Sequence, residues 1–245
     1  MLLARPALAI VNIEDMRVKD PVPGFSGQIA AAITGQSGNT DKAAASVGTR
    51  LQWHEKPVTN FVVFNYDYGK TAEVKDTNKG FLHARQIRDI TDRRAWEVFA
   101  QVENNEFTRL SSRGLLGASL RLVAFKSGDE RLALITGLGG FYSREKLEVR
   151  AGATDAGVDT LLRGNFYVVM KYQLNETVSV GSATYYQPAT SDLQDFMALE
   201  QGSLHVKLTD RLNLTLSLEV AHDNRPPQLI DKTDVTYRTG IEYQF

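Results

Sequence analysis

The chain contains no cysteine, which excludes disulfides and thiolate metal sites and says little about compartment. It lacks any run near the ~18 consecutive apolar residues of a membrane helix, so a helical membrane protein is excluded. It has no excess of either charge: 28 Lys and Arg stand against 29 Asp and Glu, a formal net charge of -1. No predominantly basic surface follows, and no nucleic-acid partner is expected. Histidine is scarce, at four residues. The glycines fall at turns and within strands, and none forms a phosphate-cradling loop.

What is present is a two-residue rhythm. In the last eleven residues, Val235, Tyr237, Ile241, Tyr243 and Phe245 share one face, while Thr236, Arg238, Gly240, Glu242 and Gln244 share the other. A soluble sheet can also have one apolar face. An aromatic last residue with aromatics two apart, however, resembles the assembly signal of outer-membrane β-barrels, carried here by Tyr237, Ile241, Tyr243 and Phe245. The composition is neutral on this point, since 42% hydrophobic and 23% charged residues suit a soluble protein equally. Spanning strands of a barrel keep only every second residue apolar.

From Gly24 onward turn chemistry divides the rhythm into about twelve strands. Val62, Phe64, Tyr66 and Tyr68 oppose Val63, Asn65 and Asp67; Leu116, Ala118, Leu120 and Leu122 oppose Gly117, Ser119 and Arg121; Leu212 to Val220 alternates with Asn213 to Glu219. The expected turns near Lys56, Asp92, Ser127, Asn175 and Asp210 are brief. Long excursions are expected near Glu73, Gly152, Ser191 and Pro226, with Glu145 to Arg163 the longest stretch lacking a rhythm. Short turns and long loops thus alternate, as periplasmic turns and extracellular loops of a membrane barrel do. The expected fold is all-β: a single closed antiparallel transmembrane β-barrel of about 12 strands. Trp53, Tyr66, Tyr68, Trp96, Tyr142, Tyr172, Tyr186, Tyr243 and Phe245 fall near strand ends, where amphipathic aromatics favour the headgroup region.

Residues 24–245 are assigned to the barrel, 10–23 to an N-terminal periplasmic segment, and 1–9 to the remnant of a signal peptide. The last assignment rests on the small-x-small ending Ala7, Leu8, Ala9. The stretch Asp76 to Arg85, with Trp96 to Gln101, Asn105 to Phe107 and Arg113 to Arg121, resembles the YdiY-like family of salt-induced outer-membrane proteins. Gly24 to Gly27 and Thr34 to Asp41 are similar to the same family's opening hairpin. The resemblance implies a bacterial outer-membrane β-barrel and little chemistry, because the family is known mainly as a domain of unknown function.

His83, Arg85, Glu97, Glu103, Arg121, Lys171, Arg238 and Glu242 all point inward in this register and are the candidate lumen-lining residues. They suit either a narrow channel for small solutes or ions, linked to envelope or salt stress, or a closed lumen crossed by ion pairs, since buried charges must be paired. A barrel enzyme of lipase or protease type needs a nucleophile beside a positioned base near the rim. His54, His83, His205 and His222 lie in no such motif. His222, Asp223 and Asn224 form the best local cluster, and no catalytic residue is assigned. Asp76, Asp155, Asp159, Asp192 and Asp231 lie in expected outer loops at no calcium-loop spacing; no metal and no cofactor is expected. The expected partners are outer-membrane lipid, lipopolysaccharide and the barrel-assembly machinery, with oligomeric state open.

Overall fold

Alternating side chains in the sequence become paired strands because a pleated strand sends successive side chains to opposite faces. The computed structural model describes residues 23–38, 41–155, 157–209 and 212–243; the expected signal-peptide remnant over residues 1–9, residues 10–22 of the expected periplasmic segment and Phe245 lie outside them. The strands are β1 (Gly24–Gln36), β2 (Lys42–Glu55), β3 (Val58–Thr71), β4 (Val74–Thr91), β5 (Arg94–Asn105), β6 (Leu110–Lys126), β7 (Leu132–Leu147), β8 (Val158–Gln173), β9 (Val178–Pro188), β10 (Phe196–Lys207), β11 (Leu212–Asp223) and β12 (Thr233–Tyr243), with one 3-10 turn at Glu106–Thr108. They form one antiparallel meander in chain order, each strand paired with the next. Among the described residues, β1 and β12 are its two edges.

Two loop expectations are corrected. The excursion expected near Glu73 is a two-residue turn, Ala72 and Glu73, both at positive φ, the tight hairpin geometry that matches strand twist. The rest of the polar run, Thr71 and Val74 to Asn78, is strand, held by Thr71 donating to Asp76 at 2.7 Å and by a Lys70–Glu73 ion pair at 2.7 Å. The stretch from Glu145 to Arg163 is likewise shorter as a loop, since Glu145 pairs with Asp159 and Phe141 with Arg163 in the β7–β8 ladder. At both strand ends polar and apolar residues are mixed without regular alternation, as in Val158, Asp159, Thr160, Leu161 and Leu162, which erases the period-two signal. Loops 148–157, 189–195 and 224–232 still gather at one end of the sheet, opposite the short turns.

The faces are inverted relative to a soluble sheet. Val98, Val102, Leu116, Leu138, Leu162, Val168 and Leu218 are exposed on the outer face, as are Trp53, Tyr66, Tyr68, Trp96, Tyr142, Tyr172 and Tyr186. The inner face buries Phe99, Ile135, Phe141, Tyr167, Val169, Tyr185, Met197 and Leu199 in one cluster drawn from β5 and β7 to β10. The Tyr167 hydroxyl of β8 donates to Glu97 of β5 at 3.1 Å. In a flat sheet strands three apart are about 14 Å from each other, so the sheet curls strongly around its inner face.

Small residues make that curl possible. A Cβ placed on Gly137 falls 1.9 Å from the Tyr167 ring. Gly137→Ala is expected to cost about 1–3 kcal/mol through overpacking. Urea unfolding in detergent checks it, and adding Tyr167→Ala should lessen the loss by removing the clash.

Candidate functional site

The inner face of β4 to β8 concentrates ionisable side chains because odd-numbered positions of β4 and β5 and their ladder partners all turn inward. Glu97, fully buried, accepts from Arg85 at 3.1 Å and from Tyr167, and lies 3.8 Å from Arg121 Nε. Arg85 also covers the Phe99 ring at 5.0 Å. One layer closer to the long loops, Arg113 donates to Glu103 at 2.8 Å and to Glu145 at 2.7 Å. His83 contacts Gln101 at 3.1 Å and stacks between Phe61, Phe81 and Phe99. Arg163 binds the Asp195 carboxylate at 2.8 Å, and Asn165 links Ser119 at 3.2 Å to Gln187 at 2.9 Å.

The opposite part of the inner face is built from smaller groups. Gly181, Ser203 and Ser217 lie side by side across β9, β10 and β11. Ser46 pairs with Asp67, and Gly48 with Asn65, across β2 and β3. All seven are half-buried. The inner face therefore has a densely packed, ion-paired side and a side where these short groups share their strands with the longer Arg50, Gln52, Gln201 and Glu219.

Above the packed side the long loops enclose a cavity of about 440 Å³. Its roof is the 224–232 loop, tied down by Arg109. This guanidinium is fully buried and donates to the Gln228 carbonyl at 2.8 Å and the Glu148 carbonyl at 3.0 Å, while Asp155 lies 2.7 Å away. The Gln228 N–H donates to Asp155 at 2.7 Å, and the Thr154 N–H to the Gln228 side chain at 2.9 Å. Three loops are thus joined at one arginine.

The Gln228 N–H, and then the Arg109 guanidinium, hold the Asp155 carboxyl below its ordinary 3.8. A depressed carboxylate contributes stability that is present above the ordinary value and lost as pH falls through the lower, folded one. The loop junction should hold at neutral and mildly acidic pH and loosen only below about pH 4. Carbon NMR of the Asp155 carboxyl should give a midpoint below 3.8, returning toward it in Arg109→Met.

Of the residues singled out from the sequence, Arg85, Glu97 and Arg121 meet in one cluster. Glu103 joins Arg113, and His83 sits two residues from Arg85 on the same face. Lys171 is half-buried on the inner side of β8. The side chains of Arg238, Ile241, Glu242 and Tyr243 lie outside the described residues, and Tyr237 is exposed on the outer face. Asp155, Asp159, Asp231, His222 and Asp223 come together around the cavity, whereas Asp76 is engaged by Thr71 and Asp192 by Arg225. Arg113 and Arg163 were not singled out, although Arg113 shares the parity of Arg121. Arg109 sits in a turn where no periodicity marks it.

A family model described as "Protein of unknown function, DUF481" matches residues 29–245. No curated protein matches the chain. A solved structure titled "NanC porin structure in rhombohedral crystal form" matches at 10% identity with a TM-score of 0.49, over 89% of this chain and 99% of that one.

Proposed function

This chain belongs to the DUF481 family of proteins of unknown function, and we propose that it acts in the bacterial outer membrane as a closed β-barrel with a narrow, off-centre path for small solutes or ions. The observation that carries the reading is the inverted sheet. An apolar exterior spans β3 to β11, and charged groups such as Glu97, Arg85 and Arg113 are buried inside. Contiguous exposed apolar surface beyond a few hundred Å² is rare on soluble monomers, and against lipid it needs no protein partner. Unpaired strand edges in hydrocarbon cost several kcal/mol per polar group, so β12 pairs with β1 on this reading. The short turns face the periplasm and the long loops the exterior.

The path runs along Ser46, Gly48, Asn65, Ser203 and Ser217, where side chains are short and polar. A second reading, a closed-lumen barrel that stabilises the envelope, is favoured by the dense packing around Phe99, Tyr167 and Glu97. A role in salt stress rests on the family resemblance alone. No enzyme activity is proposed: the His222 ring nitrogen is engaged by Thr233 at 2.8 Å, and its ring lies against Phe196. Lipid, lipopolysaccharide and, during insertion, the assembly machinery are the proposed partners.

The absence of cysteine makes the test direct, because single cysteines can be introduced without background. In intact cells a membrane-impermeant thiol reagent should modify Ser46→Cys and Ser217→Cys but not Ser119→Cys, which replaces a residue 1% exposed. Protection of all three, with a loop cysteine labelled, would support the closed lumen instead.

A further inference from the structure

The loop-roofed cavity combines features that none of its residues has alone. Its lining includes Leu110, Leu161 and Met197 from the strands and Pro226, Pro227 and Ile230 from the roof loop, an apolar set. Its size, about 440 Å³, falls within the range of small-molecule sites. The arginines around it are already engaged: Arg113 by Glu103 and Glu145, Arg163 by Asp195, Arg225 by Asp192 at 2.6 Å. Four lining carboxylates, Asp159, Asp223, Asp231 and Asp234, take part in no ion pair among the described residues, and Lys232 is the one lining cation in the same position. The cavity therefore carries surplus negative charge beside apolar surface.

Among the described residues no three acidic or imidazole groups are spaced to hold a metal ion, so the surplus suits a dispersed organic cation better than a bare one. We infer that this cavity is a binding site for a small organic cation with an apolar body, such as an arylalkyl amine. It is reached from the long-loop end, and the inference stands whether or not the lumen conducts.

Electrostatic complementarity acts on specificity more than on raw affinity, so the test compares isosteres. Phenylalaninamide carries the cation, 3-phenylpropionamide is its neutral counterpart and 3-phenylpropionate its anion. Calorimetry on the detergent-solubilised full chain at pH 6, where the α-amine is protonated, is expected to rank them in that order, with the cation at least tenfold tighter than the neutral amide. Asp223→Asn with Asp234→Asn should weaken phenylalaninamide tenfold or more and leave 3-phenylpropionamide unchanged. Lys232→Gln, which removes the competing charge, should tighten it. Equal or tighter binding of the anion, phenylalaninamide binding indifferent to the double substitution while circular dichroism shows the fold intact, or no binding of any probe at millimolar concentration would overturn the inference.

Discussion

Replacing Glu97 by Gln is expected to produce the largest loss of stability of any conservative change in the chain, about 3–5 kcal/mol, because it removes one member of a buried ion pair. Glu97 has no exposed surface, and its partner Arg85 is 5% exposed at the side chain, so little solvent is present to screen the charges left behind. The substitution keeps the shape and an acceptor for Tyr167, which lies 3.1 Å away. What it deletes is the charge facing Arg85 at 3.1 Å and Arg121 at 3.8 Å. Two guanidiniums then share a dry interior. Urea or guanidinium unfolding in detergent, followed by circular dichroism, measures the loss. Glu97→Gln with Arg85→Met should recover part of it, since removing both members takes away the uncompensated charge along with the pair. A midpoint for Glu97→Gln indistinguishable from the parent would mean that water reaches the cluster, and the densely packed side would have to be given up.

Arg109→Met is expected to release the loops with little effect on the strands. The side chain is fully buried and ties its own turn to two other loops, one through Gln228 and one through Glu148 and Asp155. Hydrogen bonds to a charged group are worth about 1.5–3 kcal/mol each. Losing this junction should lower the local opening free energy by roughly 2–4 kcal/mol, which is ~30- to 1,000-fold in exchange rate at the Thr154 and Gln228 amides. Methionine retains the apolar stem, so the effect reports the lost donors rather than a void. Lysine should rescue poorly, because a point charge cannot serve two carbonyls and a carboxylate in separate directions as a planar fork does. Hydrogen exchange resolved by residue checks this: protection unchanged at both amides would show that other contacts hold the roof.

The legible part of this molecule is the part governed by period two. The outer ladders of β3, β6 and β11 and the inward Arg85, Glu97, Glu103 and Arg121 follow from alternation alone, since one face is apolar and exposed and the other holds the buried charges. Legibility fails where that contrast disappears. The β3–β4 hairpin at Ala72 and Glu73 and the start of β8 at Val158 mix polar and apolar residues without regular alternation, and read as loop. Parity alone also leaves the packed and open sides of the interior undistinguished. That asymmetry depends on which strands face each other, and on Gly137 making room for Tyr167. The cavity is less legible still, because Arg109, Asp155 and Gln228 are brought together only by the folded sheet.

Conduction along the polar side of the interior is tested most directly in a planar bilayer. Purified chain reconstituted into a planar bilayer should give small discrete conductance steps, and Ser46→Trp, which places a bulky ring among Asp67, Gly48 and Asn65, should reduce them sharply. Arg121→Ala and Glu103→Ala, on the packed side, should instead leave the steps unchanged or enlarge them. Silence from correctly folded protein at every voltage and salt concentration would contradict the channel and leave a closed, structural barrel.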